Sequence, residues 1–191
     1  MATIRNGSRS VLLIVDVQVG VMSQLWDSSR IIENLARLVE RARTVSVPVI
    51  WVRHCAEYLP AGRPEWQFVP ELVPHSTERV IEKEHNSAFE RTTLDDELEA
   101  IGATHIILAG AATNWCIRAT AYGALGRGYD LTLVADAHTT HAMDSESSGK
   151  IPAKSIIEEL NVVMDWLRYP DCTCRTAKVE DVDFAATPHG E

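Results

Sequence analysis

Cysteine is scarce in this chain: Cys55, Cys116, Cys172 and Cys174 are the four thiols in 191 residues. So few do not build a disulfide scaffold, and with no export signal in view reduced thiols are expected. Cys172 and Cys174 form a C-x-C pair, but the usual two-residue gap and a second ligand pair are missing, so no metal site is expected there. Clusters of lysine and arginine are absent too. With 27 acidic against 18 basic residues and a net charge of −9, no surface that would neutralise a row of phosphates is in sight, and nucleic acid is not an expected partner. Long apolar runs are also lacking. Val11 to Val15 is too short to cross a bilayer, and the opening MATIRNGSRS has no signal-peptide core, so a cytoplasmic protein without membrane contact is expected.

What is present is ordinary: 46% hydrophobic and 24% charged residues, close to the average for soluble proteins. The length suits one domain spanning 1–191, with no internal repeats. Apolar, β-rich runs recur at Val11 to Val17, Pro48 to His54, Arg79 to Lys83, Thr104 to Gly110 and Tyr129 to Asp136, with a weaker sixth from Cys172 to Val179. Several are continuously hydrophobic, as strands buried on both faces should be. Helical patterns lie between them. Ile31, Leu35, Leu38 and Val39 mark a helix over Ser28 to Thr44 with Asp27 or Ser28 as its cap. Thr93 precedes Leu94, Leu98 and Ile101 before Gly102 stops that segment, and Thr113 or Asn114 opens a third helix that ends near Gly126. This alternation predicts a three-layer α/β/α doubly wound fold with a mostly parallel sheet of about six strands. Residues 55–78 hold several prolines and no period, and read as a long loop of the kind that exists for function, a lid being one candidate that the sequence leaves open. The last dozen residues read as a loose tail.

Reactive side chains stand at the carboxyl end of one strand after another: Asp16, His54, Lys83, then Cys116 just past the fourth, and Asp136 with His138 at the fifth. In parallel α/β sheets ligands bind beyond those ends, so these residues converge on one site. Each has a plainer reading: Asp16 as a loop cap, Lys83 as a solvated lysine, Cys116 as a small buried hydrophobe. For Cys116 the start of a helix and a nearby lysine argue for a lowered thiol pKa. The backbone N–H groups of Ala112 and Cys116 are placed to hold an oxyanion.

Three segments, LLIVDVQ at Asp16, KEHNSAF from Lys83 to Phe89, and GAATNWCIRATAYGALGRGYDLTLVADA from Gly110 to Ala137, together resemble the isochorismatase-like superfamily of cysteine hydrolases. They fall within a span of roughly two-thirds of the chain. The resemblance implies a catalytic triad of Asp16, Lys83 and Cys116, a cis peptide before Ala112, and hydrolysis of a small amide through a thioester, with no cofactor and a homo-oligomeric assembly. Nicotinamidases of the superfamily carry a metal-binding D-x-H motif after the second strand, where this chain has Trp51-Val52-Arg53-His54. The vinyl-ether hydrolases lack the nucleophilic cysteine. The DAHTT stretch from Asp136 to Thr140 and the region of Asn161 resemble the streptothricin hydrolase branch. Trp26, His54, Trp115, Arg118 and His138 are the expected pocket wall, although Trp26 suits packing and Arg118 suits an ion pair. Two alternatives stand beside amide hydrolysis: vinyl-ether hydrolysis with Asp16 as the acid, and a non-catalytic binding module on the same fold.

Overall fold

In the computed structural model, which describes residues 5–147 and 149–185, the apolar runs become the strands β1 (Arg9–Val15), β2 (Val49–His54), β3 (Arg79–Lys83), β4 (Ala103–Ala111) and β5 (Asp130–Thr139). A short antiparallel hairpin of β6 (Met143–Ser145) and β7 (Gly149–Ile151) follows, and β8 (Cys174–Ala177) closes the series. Apart from the hairpin, the strands form one six-stranded sheet in the order β3-β2-β1-β4-β5-β8, and every pairing within it is parallel. The chain winds outward from β1 to β3, returns to β4 beside β1, and winds outward the other way. The sheet order therefore reverses between β1 and β4, where ligand crevices form in such folds.

Helices α1 (Val19–Met22), α2 (Ser28–Thr44), α3 (Leu94–Ala100), α4 (Arg118–Gly126) and α5 (Ala153–Trp166) cover the two faces. Alternation along each strand sorts the core. Val11, Leu13 and Val15 pack with Leu94, Leu98, Ala121, Leu125, Leu160 and Met164 from α3, α4 and α5. Leu12 and Ile14 face the other way onto Ile31, Leu35 and Leu38 of α2. Each of these fully buried aliphatic side chains contributes about 1.5–3 kcal/mol, so the three-layer arrangement rests on both apolar stripes.

Several local expectations differ. Helix α5 was not anticipated, although Ile156, Ile157, Leu160 and Met164 bury one face at helical spacing. Asp27 adopts a left-handed conformation and makes no capping bond; its carboxylate pairs with Arg30 instead. Thr93 also fails to cap, and the Leu94 N–H donates to Thr92 Oγ1 at 3.3 Å. The long loop over residues 55–78 packs on the body of the fold: Leu59, Trp66, Val69 and Leu72 are buried, with a single helical turn over Pro64–Trp66. The start of the expected loose tail is packed, since Val182 is buried, Phe184 packs against the core and the Arg41 guanidinium donates to the Val182 carbonyl at 3.2 Å. Residues 186–191, the rest of that expectation, and 1–4 of the opening stretch lie outside the described residues. Among the described residues no helix is long and apolar enough to cross a membrane.

Candidate active site

The site begins where β1 ends. Asp16 takes a left-handed conformation, φ 54°, which turns the chain out of the sheet while its N–H still donates to Val52 O at 2.8 Å. Aspartate is one of the few residues that adopts this conformation at modest cost. Beside it on β4, Gly110 has φ 122°, and a Cβ there would stand 2.1 Å from the Val15 carbonyl oxygen. Only glycine lets β1 and β4 approach so closely at their carboxyl ends. The next peptide, Ala111–Ala112, is cis. The chain then makes one π-helical turn over Thr113–Ile117 before α4 begins, with the Ile117 N–H donating to Ala112 O at 3.2 Å. Neither Thr113 nor Asn114 caps it, contrary to expectation. Cys116 thus sits in this wider turn ahead of the α-helix proper.

Three of the anticipated residues come together at one point. Lys83 Nζ, its side chain fully buried, donates to Asp16 Oδ2 at 2.7 Å and to Cys116 Sγ at 3.2 Å. It also lies 3.3 Å from His54 Nδ1. The second carboxylate oxygen, Asp16 Oδ1, is buried and has no hydrogen-bond partner among the described residues. Burial of the ion pair is expensive, and its Coulombic attraction is the main return. Burial works against the Lys83 ammonium, but Asp16 and Cys116 outweigh it and hold its pKa above the ordinary lysine value. The thiol behaves contrary to expectation. Burial, then the Asp16 carboxylate, push Cys116 up to about 12, and Lys83 opposes this without offsetting it. The resting sulfur is a neutral thiol next to a carboxylate, because two neighbouring anions would repel each other. His54 is lowered by burial and then by Lys83, so it is neutral at pH 7.

A cavity of about 480 Å³ opens over these residues, within the range that takes small ligands. Asp16, His54, Trp115 and Cys116 line it, as does the backbone-bearing Ala112. Trp26, Arg118 and His138 are not among its lining residues. Trp26 is held to one side, its N–H donating to Thr140 O at 2.9 Å. Arg118 pairs with Glu159 on α5. His138 is fully buried between Thr113 Oγ1 and Asn161 Oδ1, each 2.9 Å from a ring nitrogen, and burial drives it down to about 4. Asp136, also at a strand end, serves packing: its carboxylate accepts from the Val179 N–H at 2.8 Å. The cavity includes Gln24, Tyr58, Glu65, Asn86 and His141, which sequence reasoning did not single out. Two signals pointed towards some of them. Tyr58 and Glu65 belong to the proline-rich loop, and Asn86 to the KEHNSAF segment, which is anchored where the Ala88 N–H donates to Thr120 Oγ1 at 3.0 Å. Among the described residues no group of three or more His, Cys, Asp or Glu side chains is placed to hold a metal ion.

Fold and site together define a three-layer, doubly wound α/β protein with a buried acid, amine and thiol at the switch point of its sheet. The isochorismatase domain family model matches residues 10–154, and the chain belongs to that family. A streptothricin hydrolase of Streptomyces noursei is 32% identical over 68% of this chain and 54% of its own length. A nicotinamidase of Arabidopsis thaliana is 28% identical over 71% of the chain and 75% of its own length. The chain spans about half the length of the streptothricin hydrolases it matches. Among solved structures, an isochorismatase from Pseudomonas putida is 31% identical, covers 90% of this chain and 89% of its own, and superposes with a TM-score of 0.81.

Proposed function

We propose that this chain hydrolyses the carbon–nitrogen bond of a small amide, with Cys116 as nucleophile, Asp16 as proton carrier and Lys83 as the cation that holds the two in register. The observation that carries this reading is the Lys83 ammonium bridging Asp16 Oδ2 and Cys116 Sγ at the floor of a cavity. Relatives named as a nicotinamidase and a ureidoacrylate amidohydrolase support the bond class.

Attack starts from the neutral thiol. As sulfur bonds to the amide carbonyl carbon, its proton passes to Asp16 and the carbonyl electron pair becomes an oxyanion, which the N–H groups of Ala112 and Cys116 are assigned to receive. Collapse breaks the carbon–nitrogen bond, and the leaving nitrogen takes the proton from Asp16, giving ammonia or an amine and a thioester. Water then gives a proton to Asp16 as it adds to the thioester. The second collapse breaks the carbon–sulfur bond, and Asp16 returns the proton to sulfur. Lys83 pairs with the Asp16 carboxylate and favours negative charge on sulfur as it develops.

Ammonia release from a panel of small primary amides tests this. Cys116→Ala is expected to lower turnover at least about a thousandfold. Wild-type turnover by that variant would remove the thiol from the mechanism.

A further inference from the structure

The cavity wall carries an uneven charge. Its lining includes the acidic residues Asp16 and Glu65 and, among the described residues, no lysine or arginine. Asp16 is neutralised from behind by Lys83 at 2.7 Å, whereas Glu65 forms no ion pair with a described residue. Glu65 is brought to the wall by close packing: a Cβ on Gly20 of α1 would stand 3.0 Å from both Glu65 Cβ and Leu59 Cδ1. Two further walls are aromatic and open to solvent, Tyr58 at 79% and Trp115 at 46% exposure. Aromatic faces together with an acidic side chain attract an ammonium group, whereas a substrate carboxylate meets no lysine or arginine among the described lining residues.

We infer that the cavity selects amides bearing a positive charge, accepts neutral ones, and disfavours amides that carry a carboxylate, with Glu65 as the residue that sets this preference. The inference names the substrate class of the amide hydrolase proposed above and rests on that reading for the reaction, but the charge selection itself is measurable without turnover. A carboxylate at the wall of a cleft shifts the rate of a charged reagent by up to about tenfold. Field focusing in a cleft adds to this.

Two measurements on the full chain test it. The first uses methanethiosulfonates of three charges: trimethylammonioethyl, methyl and sulfonatoethyl. Each transfers its thioalkyl group to Cys116, forming a disulfide and releasing methanesulfinate, and the Cys116 peptide is followed by mass spectrometry. Relative to a small free thiol, the cationic reagent should outpace the anionic one by about tenfold, and Glu65→Gln should bring this ratio most of the way back. A ratio equal to the free thiol's, or one unmoved by Glu65→Gln, overturns the inference. The second compares β-alaninamide, butyramide and succinamate as substrates, with kcat/KM expected to fall in that order. Hydrolysis without this order overturns the inference and leaves amide hydrolysis standing. A charge ratio at Cys116 with no amide hydrolysed leaves the charge selection standing and removes the hydrolase reading.

Discussion

The two ends of the sheet hold cavities of similar size and opposite character. At the amino ends, a cavity of about 510 Å³ lies between α2, β2 and α3. Its central acid, Glu78, accepts from Arg43 Nε and Nη2 at 2.8 Å each, from Trp51 Nε1 at 2.7 Å and from the His75 N–H at 2.8 Å. At the carboxyl ends, the cavity of about 480 Å³ covers Asp16, which has one bond to Lys83 and a second oxygen with no partner among the described residues. Volume does not separate the two. What separates them is whether the buried charge is saturated: Glu78 accepts four hydrogen bonds, whereas Asp16 Oδ1 accepts none from a described residue. Saturation stabilises a fold, and the unsaturated pair is where chemistry can occur.

The sharpest way to break this contrast is Asp16→Asn. The amide matches the carboxylate in shape but cannot carry a proton between sulfur and nitrogen, so amide turnover should fall about a thousandfold. The same substitution has an opposite effect on the thiol. The carboxylate that helps push Cys116 up is gone and Lys83 remains, so alkylation of Cys116 by iodoacetamide at neutral pH should speed up about tenfold. Lost hydrolysis with a more reactive thiol is a combination that simple damage to the site does not produce. Slower alkylation in the variant would mean that Asp16 does not hold the thiol neutral.

Glu78→Gln makes the complementary change. A glutamine turns an amide N–H₂ towards donors that need acceptors, so the fold should lose about 2 kcal/mol in denaturant unfolding, with kcat within about twofold of wild type. Burial tends to raise the Glu78 carboxyl, but Arg43, His75 and Trp51 together hold it below the usual range. Its folded-state value is thus depressed, and its contribution is present above the unfolded carboxyl value of about 4.3. That contribution fades as pH falls through the folded value, so the gap between wild type and Glu78→Gln should close in the acid range below about pH 4. A gap that stays constant through acid would assign the loss to shape and not to charge.

The sheet was legible because it is buried on both faces. Runs such as Leu12 to Val15 are apolar at every position, and a strand of that kind has few other places to go. The convergence of Asp16, Lys83 and Cys116 was legible from topology, since Asp16 and Cys116 follow strands and Lys83 closes one, all at the carboxyl ends of the sheet. Residues whose placement depends on loop path were not. Trp26 was singled out while the cavity lining falls to its neighbours Gln24 and Leu25, because the left-handed Asp27 sets where that turn points. His138 was misplaced because β5 runs on to Thr139 with a register shift against β4, which carries the imidazole into the core. Helix α5 was visible in its spacing and was overlooked. The thiol pKa was misjudged for a different reason: helix start and lysine are readable in sequence, whereas the depth of burial that outweighs them is not.

Arg118 offers the finest distinction. From sequence it belonged to the pocket wall; in the fold its guanidinium lies on α4 against Glu159 of α5, with the side chains 30% and 52% exposed. An ion pair this open is screened by water and salt, so Arg118→Ala should cost less than about 0.5 kcal/mol in unfolding. KM for any amide the enzyme turns over should stay within about twofold, because the side chain is not among those lining the cavity. A KM rise of about tenfold, near 1.4 kcal/mol of lost binding, would show that the guanidinium leaves Glu159 to meet the substrate. The carboxyl-edge cavity would then extend over α4, and its preference for positive charge would have to be set against a cation that reaches in from the rim.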